Sequence, residues 1–111
     1  TWYFFVKGEK ATGWTWDGKN WYYMNDKGVM QTGWQKIDGA WYYLNTWGGM
    51  AKGWAKVNNT WYYLNPNGGK MVANGWNWIN GKCYYFYASG ALAVSTTIDG
   101  YTVDANGAWV K

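Results

Sequence analysis

Tryptophan and tyrosine carry the chemistry open to this chain, and they recur at fixed spacing. Gly-Trp pairs stand at Gly13-Trp14, Gly33-Trp34, Gly53-Trp54 and Gly75-Trp76. Seven residues beyond each tryptophan a triplet begins: Trp21-Tyr22-Tyr23, Trp41-Tyr42-Tyr43, Trp61-Tyr62-Tyr63 and the altered Cys83-Tyr84-Tyr85. Paired tryptophans with a tyrosine form apolar walls that lack a hydrogen-bonding centre. Such walls suit a quaternary ammonium group, which has no N–H to donate. Cation–π attraction holds it by about 0.5–1 kcal/mol when exposed and about 2 when desolvated. They also suit a sugar ring stacked by its C–H face, although a sugar site calls for polar partners beside the ring. Met30, Met50 and Met71 fit the floor of such a cage, because thioethers pack well on aromatic edges.

Catalysis has little to work with. The chain holds no His and no Arg, and no serine stands beside a candidate base, so nothing supports a nucleophilic triad. The carboxylates Glu9, Asp17, Asp26, Asp38, Asp99 and Asp104 fall mostly at turns, where Asp favours the backbone geometry. Cys83 is the single cysteine, which excludes an internal disulfide. Without a second thiol or a His it excludes a zinc site as well. No catalytic residue, metal or cofactor is expected. The net charge of +4 comes from lysines spread along the chain, not clustered as a nucleic-acid groove would have them. No run approaches the ~18 apolar residues of a membrane span.

The elements that must position these aromatics are short hairpins. The Gly-Trp pairs are 20, 20 and then 22 residues apart, which marks a repeat array. Asp38-Gly39, Asn58-Asn59 and Asn80-Gly81 tolerate positive φ and predict type I′ turns. The first unit has Asp17-Gly18-Lys19-Asn20, so its turn is expected to shift by a residue. A two-residue turn at Asp38-Gly39 pairs Lys36 with Trp41 and Trp34 with Tyr43. Period-two alternation then places Trp34, Lys36, Trp41 and Tyr43 on one face, with Gln35, Ile37, Tyr42 and Leu44 on the other. The Trp-bearing face is expected to meet ligand. Tyr22, Tyr42, Tyr62 and Tyr84 are expected in the core of the stack. A lone hairpin is marginal in water, so consecutive hairpins must stack. The expected fold is all-β, a solenoid of stacked β-hairpin repeats with about 20 residues in each.

The pattern running through Gly33-Trp34-Gln35-Lys36 and Trp41-Tyr42-Tyr43-Leu44-Asn45 returns in Gly53-Trp54-Ala55-Lys56 and Trp61-Tyr62-Tyr63-Leu64-Asn65. It resembles the choline-binding repeats of Gram-positive surface proteins and cell-wall lysins, and the resemblance covers essentially the whole chain. It implies one module over 1–111: a truncated first repeat 1–12, repeats 13–32, 33–52, 53–74 and 75–96, and a degenerate terminal unit 97–111. It implies a left-handed superhelix, on the bacterial surface, binding choline or the phosphocholine of teichoic acids. No nucleic acid or membrane span is implied, and ligand-promoted self-association stays open.

Carried over from that family, each pocket takes the two tryptophans of one repeat, then a tyrosine and a Met or Leu of the next. The sets are Trp14, Trp21, Tyr43 and Met50; Trp34, Trp41, Tyr63 and Met71; and Trp54, Trp61, Tyr85 and Leu92. At the fourth position Cys83 stands where the second Trp belongs and Thr102 falls near the place of the partner Tyr, so no fourth full pocket is counted around Trp76. Trp16 and Trp78 replace the lysine of Lys36 and Lys56. Single pockets are expected to be weak, and several facing a polymer that repeats the ligand gain roughly 10²–10⁴ in avidity where they bind together. A glucan-binding repeat and a structural, protein-docking stalk are the alternatives. Because the chain opens in mid-repeat, it is expected to be a fragment of a longer protein.

Overall fold

A computed structural model describes residues 3–6 and 8–110; Thr1 and Trp2 of the expected truncated repeat lie outside the described residues. The turns form where sequence places them. Asp38 and Gly39 take φ of 50° and 83°, Asn58 and Asn59 take 50° and 65°, and Asn80 and Gly81 take 50° and 84°. These are left-handed values at both central positions, as a type I′ turn needs. In the first hairpin the loop is longer, and Trp16 pairs with Trp21 across Asp17–Asn20.

All strand pairing among the described residues is antiparallel, and the chain divides into two compact units. The first comprises Thr1–Lys52 and Pro66–Lys70. Its strands are β1 (Phe5–Val6), β2 (Glu9–Lys10), β3 (Gly13–Trp16), β4 (Trp21–Met24), β5 (Gly33–Ile37) and β6 (Ala40–Leu44), paired as successive hairpins. The register pairs Trp34 with Tyr43 and Lys36 with Trp41, as the turn predicts.

The second unit comprises Gly53–Asn65 and Met71–Lys111. It holds β7 (Gly53–Val57), β8 (Thr60–Leu64), β9 (Gly75–Ile79), β10 (Lys82–Phe86), β11 (Thr96–Ile98), β12 (Tyr101–Val103) and β13 (Trp109–Val110). The last three make one three-stranded sheet, in which β12 lies between β11 and β13.

After each hairpin the chain turns back on itself. In the first unit Asn25 N–H donates to Val29 C=O and Gly28 N–H to Asn25 C=O, and the return leg sets Met30 against Met24 and Met50 against Leu44 as isolated bridges. In the second unit Met71 returns to Leu64 and Leu92 to Phe86. The residue that ends each second strand is the most deeply buried. Met24 and Leu44 in the first unit, and Leu64, Phe86 and Val103 in the second, are almost fully buried. So the expected all-β hairpin repeats are observed, and in the second unit Ile79 and Leu92 join Phe86 in one buried cluster.

Candidate functional site

The two faces of a hairpin meet different neighbours, and this builds the pockets. In the first unit Met50 N–H donates to Trp21 C=O at 2.8 Å, which ties the return leg after β6 to the tryptophan strand of the preceding hairpin. The face of β5–β6 that then reaches Trp14 is the one carrying Tyr42 and Leu44. Tyr42 meets Trp14 edge to face, with ring centroids 4.9 Å apart at 68°. Trp14, Trp21, Tyr42 and Met50 line a pocket of about 370 Å³, joined by Lys52 and the Pro66–Gly68 loop.

The second unit repeats this arrangement. Leu92 N–H donates to Trp61 C=O at 2.9 Å, and Tyr84 meets Trp54 at 4.9 Å and 68°. Trp54 and Trp61 stand nearly perpendicular, 6.3 Å apart at 86°. With Tyr84 and Leu92 they line a pocket of about 300 Å³ that Ala105 and Asn106 complete. Both volumes fall at the small end of the ~300–1,000 Å³ usual for ligand pockets. Lys56 holds its ammonium 5.9 Å from the Trp61 ring centroid.

These walls differ from the expected sets at one position. The expectation named Tyr43 and Tyr85, whereas the tyrosines lining these two pockets are Tyr42 and Tyr84. Tyr43 pairs across its own ladder with Trp34 at 5.0 Å, and Tyr85 with Trp76 at 5.2 Å. Each third-position tyrosine thus braces the Gly-Trp tryptophan of its own hairpin. Tyr42 and Tyr84, expected in the core, line the concavities instead. Their signal was present in the alternation, which put them on the face opposite their own tryptophans. Of the middle set, Trp34 and Trp41 belong to the first unit and Tyr63 and Met71 to the second. Tyr63 braces Trp54 at 5.0 Å, and Trp41 is substantially exposed.

A further concavity of about 390 Å³ at the start of the chain is lined by Phe4, Tyr22, Met30 and Trp47, with Asp17 among its walls. The backbone N–H groups of Asn20 and Lys19 donate to the Asp17 carboxylate at 2.7 and 2.8 Å. These bonds, with one from the Tyr22 hydroxyl, hold Asp17 below its ordinary carboxylate range. The same bond to Asp17 raises Tyr22 above the usual tyrosine range.

Set beside known proteins, the chain matches the choline-binding repeat over residues 11–46 and 31–76, and a second form of that repeat over residues 70–109. It superposes on CbpJ from Streptococcus pneumoniae TIGR4 with a TM-score of 0.94 and 51% identity, covering 98% of this chain and 38% of that one. Choline binding protein F from Streptococcus pneumoniae is similar at 52% identity and a TM-score of 0.94, covering 99% and 37%. A pneumococcal cell-wall endolysin from phage Cp-1, solved in complex with choline, is 35% identical with a TM-score of 0.67, covering 81% and 27%. The chain thus spans well under half the length of each. No curated protein matches it.

Proposed function

The chain belongs to the choline-binding repeat family, and from that membership we propose that it is a non-catalytic anchoring module for the choline of phosphocholine-decorated teichoic acids on the bacterial surface. One observation carries the reading: the same four-part pocket is built twice, from Trp14, Trp21, Tyr42 and Met50 and from Trp54, Trp61, Tyr84 and Leu92. Trimethylammonium is a bulky cation without a donor. It gains from aromatic faces and apolar contact, and loses nothing to an unmatched hydrogen bond. The phosphate that accompanies choline on the polymer finds a cation in Lys52 at the first pocket.

Titration calorimetry of the whole chain with choline tests the reading. Saturable binding is expected, and Trp21→Ala and Trp61→Ala should each remove part of the stoichiometry. Elution by choline from an immobilised quaternary amine should follow the same order. A protein that ignores choline but is retained on dextran would instead be a glucan-binding repeat.

A further inference from the structure

The second tryptophan of a hairpin faces a residue that differs from one hairpin to another. Lys56 faces Trp61 and Lys36 faces Trp41, whereas Trp16 faces Trp21. Partners directly across an antiparallel ladder share a face, and their side chains are close enough to interact. Trp54 lies two residues before Lys56 on the same strand. Lys56 therefore stands on the face that presents Trp54 and Trp61 to their pocket.

The Lys56 ammonium lies 5.9 Å from the centroid of the Trp61 ring, at the outer limit of a cation–π contact, which is ~6 Å. The lysine side chain is exposed, so packing does not call for it there. Trp61 is also a wall of the pocket of about 300 Å³ that it forms with Trp54, Tyr84 and Leu92. A guest cation seated on Trp61 would come within ~12 Å of the lysine, since each would lie within ~6 Å of one centroid. Like charges at that range repel through water, and the ring they approach is the same one.

In the first hairpin that position holds a ring. Trp16 and Trp21 lie 5.4 Å apart at 47°, and Trp16 is 50% exposed. Trp21 thus has a neutral neighbour where Trp61 has an ammonium. We infer that Lys56 is a specificity-determining residue of the Trp54–Trp61 pocket. Its cation against Trp61 lowers the preference of that pocket for a charged guest over a neutral guest of the same shape. Trp16, in the corresponding place, leaves Trp21 free of that repulsion. The charged ligand class rests on the proposed function; the role of Lys56 rests on its contact with Trp61.

Indole N–H resonances of the intact chain, assigned by substitution, read the Trp21 and Trp61 pockets separately during titration. The probes are choline and its neutral isostere 3,3-dimethylbutan-1-ol, neither of which carries a phosphate. Lys56→Gln should tighten choline at Trp61 by about threefold, with no matching gain for the alcohol. Lys56→Arg, which restores the charge, should bring choline affinity back down. In 0.5 M salt most of the difference between Lys56→Gln and the parent chain should vanish. At Trp21, Trp16→Lys should bind choline about threefold more weakly than Trp16→Gln, which removes the same ring without adding charge. An equal gain for both probes in Lys56→Gln, no gain for choline, or the same gain in Lys56→Arg overturns the role of Lys56 and leaves the proposed function standing. Equal choline affinity in the two Trp16 variants overturns the part given to Trp16. Silence of both indoles toward choline in the parent chain overturns the proposed function, and the role of Lys56 with it.

Discussion

Tyr42 and Trp14 sit 28 positions apart in sequence and touch edge to face at 4.9 Å, while the adjacent Tyr43 turns the other way to brace Trp34 at 5.0 Å. Neighbouring tyrosines of one strand therefore have separate duties, one at a pocket between hairpins and one within its own ladder. The pair Tyr84 and Tyr85 repeats this division against Trp54 and Trp76.

That division predicts opposite outcomes for two adjacent substitutions. Tyr42→Ala should weaken choline binding at the Trp14–Trp21 pocket by roughly 0.5–2 kcal/mol. Tyr43→Ala should leave that pocket's affinity nearly unchanged and destabilise the fold, losing an aromatic pair worth about 0.5–1.5 kcal/mol beyond its buried area. Calorimetry and urea unfolding on the two variants separate these effects. A Tyr43→Ala variant that loses the Trp21 response at full stability would reverse the assignment.

The core should be costly to empty. Phe86 is 0% exposed and packs on Trp54 with centroids 5.9 Å apart, so Phe86→Ala should cost about 3–5 kcal/mol. Leu44→Ala, also at 0% exposure, should cost about 2–5 kcal/mol. Urea midpoints at constant m-value give the check, and a loss under about 1 kcal/mol would mean the core collapses around the hole.

Two glycines with similar φ should respond differently to substitution. Gly69 takes φ of +82°, and a Cβ there would come within 2.5 Å of the Met50 sulfur. Gly69→Ala should therefore destabilise by more than the ~1 kcal/mol of backbone strain alone, and should disturb the pocket that Met50 lines. Gly39, at φ +83° with open space around it, should accept asparagine within about 0.5 kcal/mol. Asn59 already holds φ +65° at the same turn position. Thermal unfolding of both variants decides the matter.

Lys52 lines the Trp14–Trp21 pocket, whereas the Trp54–Trp61 pocket has Asn106. Phosphocholine should be preferred over choline at the first pocket, by roughly 0.2–1 kcal/mol for an exposed ion pair. Lys52→Ala should abolish that preference, and 0.5 M salt should diminish it. Site-resolved titration at Trp21 and Trp61 with both ligands reads the difference. Equal preference at the two pockets would remove Lys52 from phosphate recognition.

Acid should loosen the first hairpin turn. Asp17 is held below its ordinary range by the Asn20 and Lys19 amides, so the unfolded chain takes up its proton at a higher pH than the native one. Its stabilisation is complete above the unfolded value and is lost as pH falls through the lowered native value. Asp17→Asn should flatten the acid limb of the stability curve. For Tyr22, raised by the same bond, stabilisation is present below the unfolded tyrosine value and lost as pH rises through the native one. Tyr22→Phe should flatten that alkaline limb, and carboxyl and phenol chemical shifts against pH test both.

Much of this molecule was legible before any coordinates. The turns at Asp38-Gly39 and Asn80-Gly81, the pairing of Trp34 with Tyr43, and the face shared by Trp34 and Trp41 all follow from local rules: positive φ in the turn residues and a side-chain period of two. The recurring Gly-Trp and Trp-Tyr-Tyr-Leu-Asn pattern carried the resemblance to the repeat family. What those rules leave open is which face of one hairpin turns toward the next, because alternation assigns residues to faces without orienting the faces. The return leg settles that, through the hydrogen bonds of Met50 to Trp21 and Leu92 to Trp61. Only then do Tyr42 and Tyr84 become pocket walls. Sequence alone determined the aromatic parts and their spacing; tertiary stacking decided which of them face one another, because that choice depends on contacts between residues far apart in the chain.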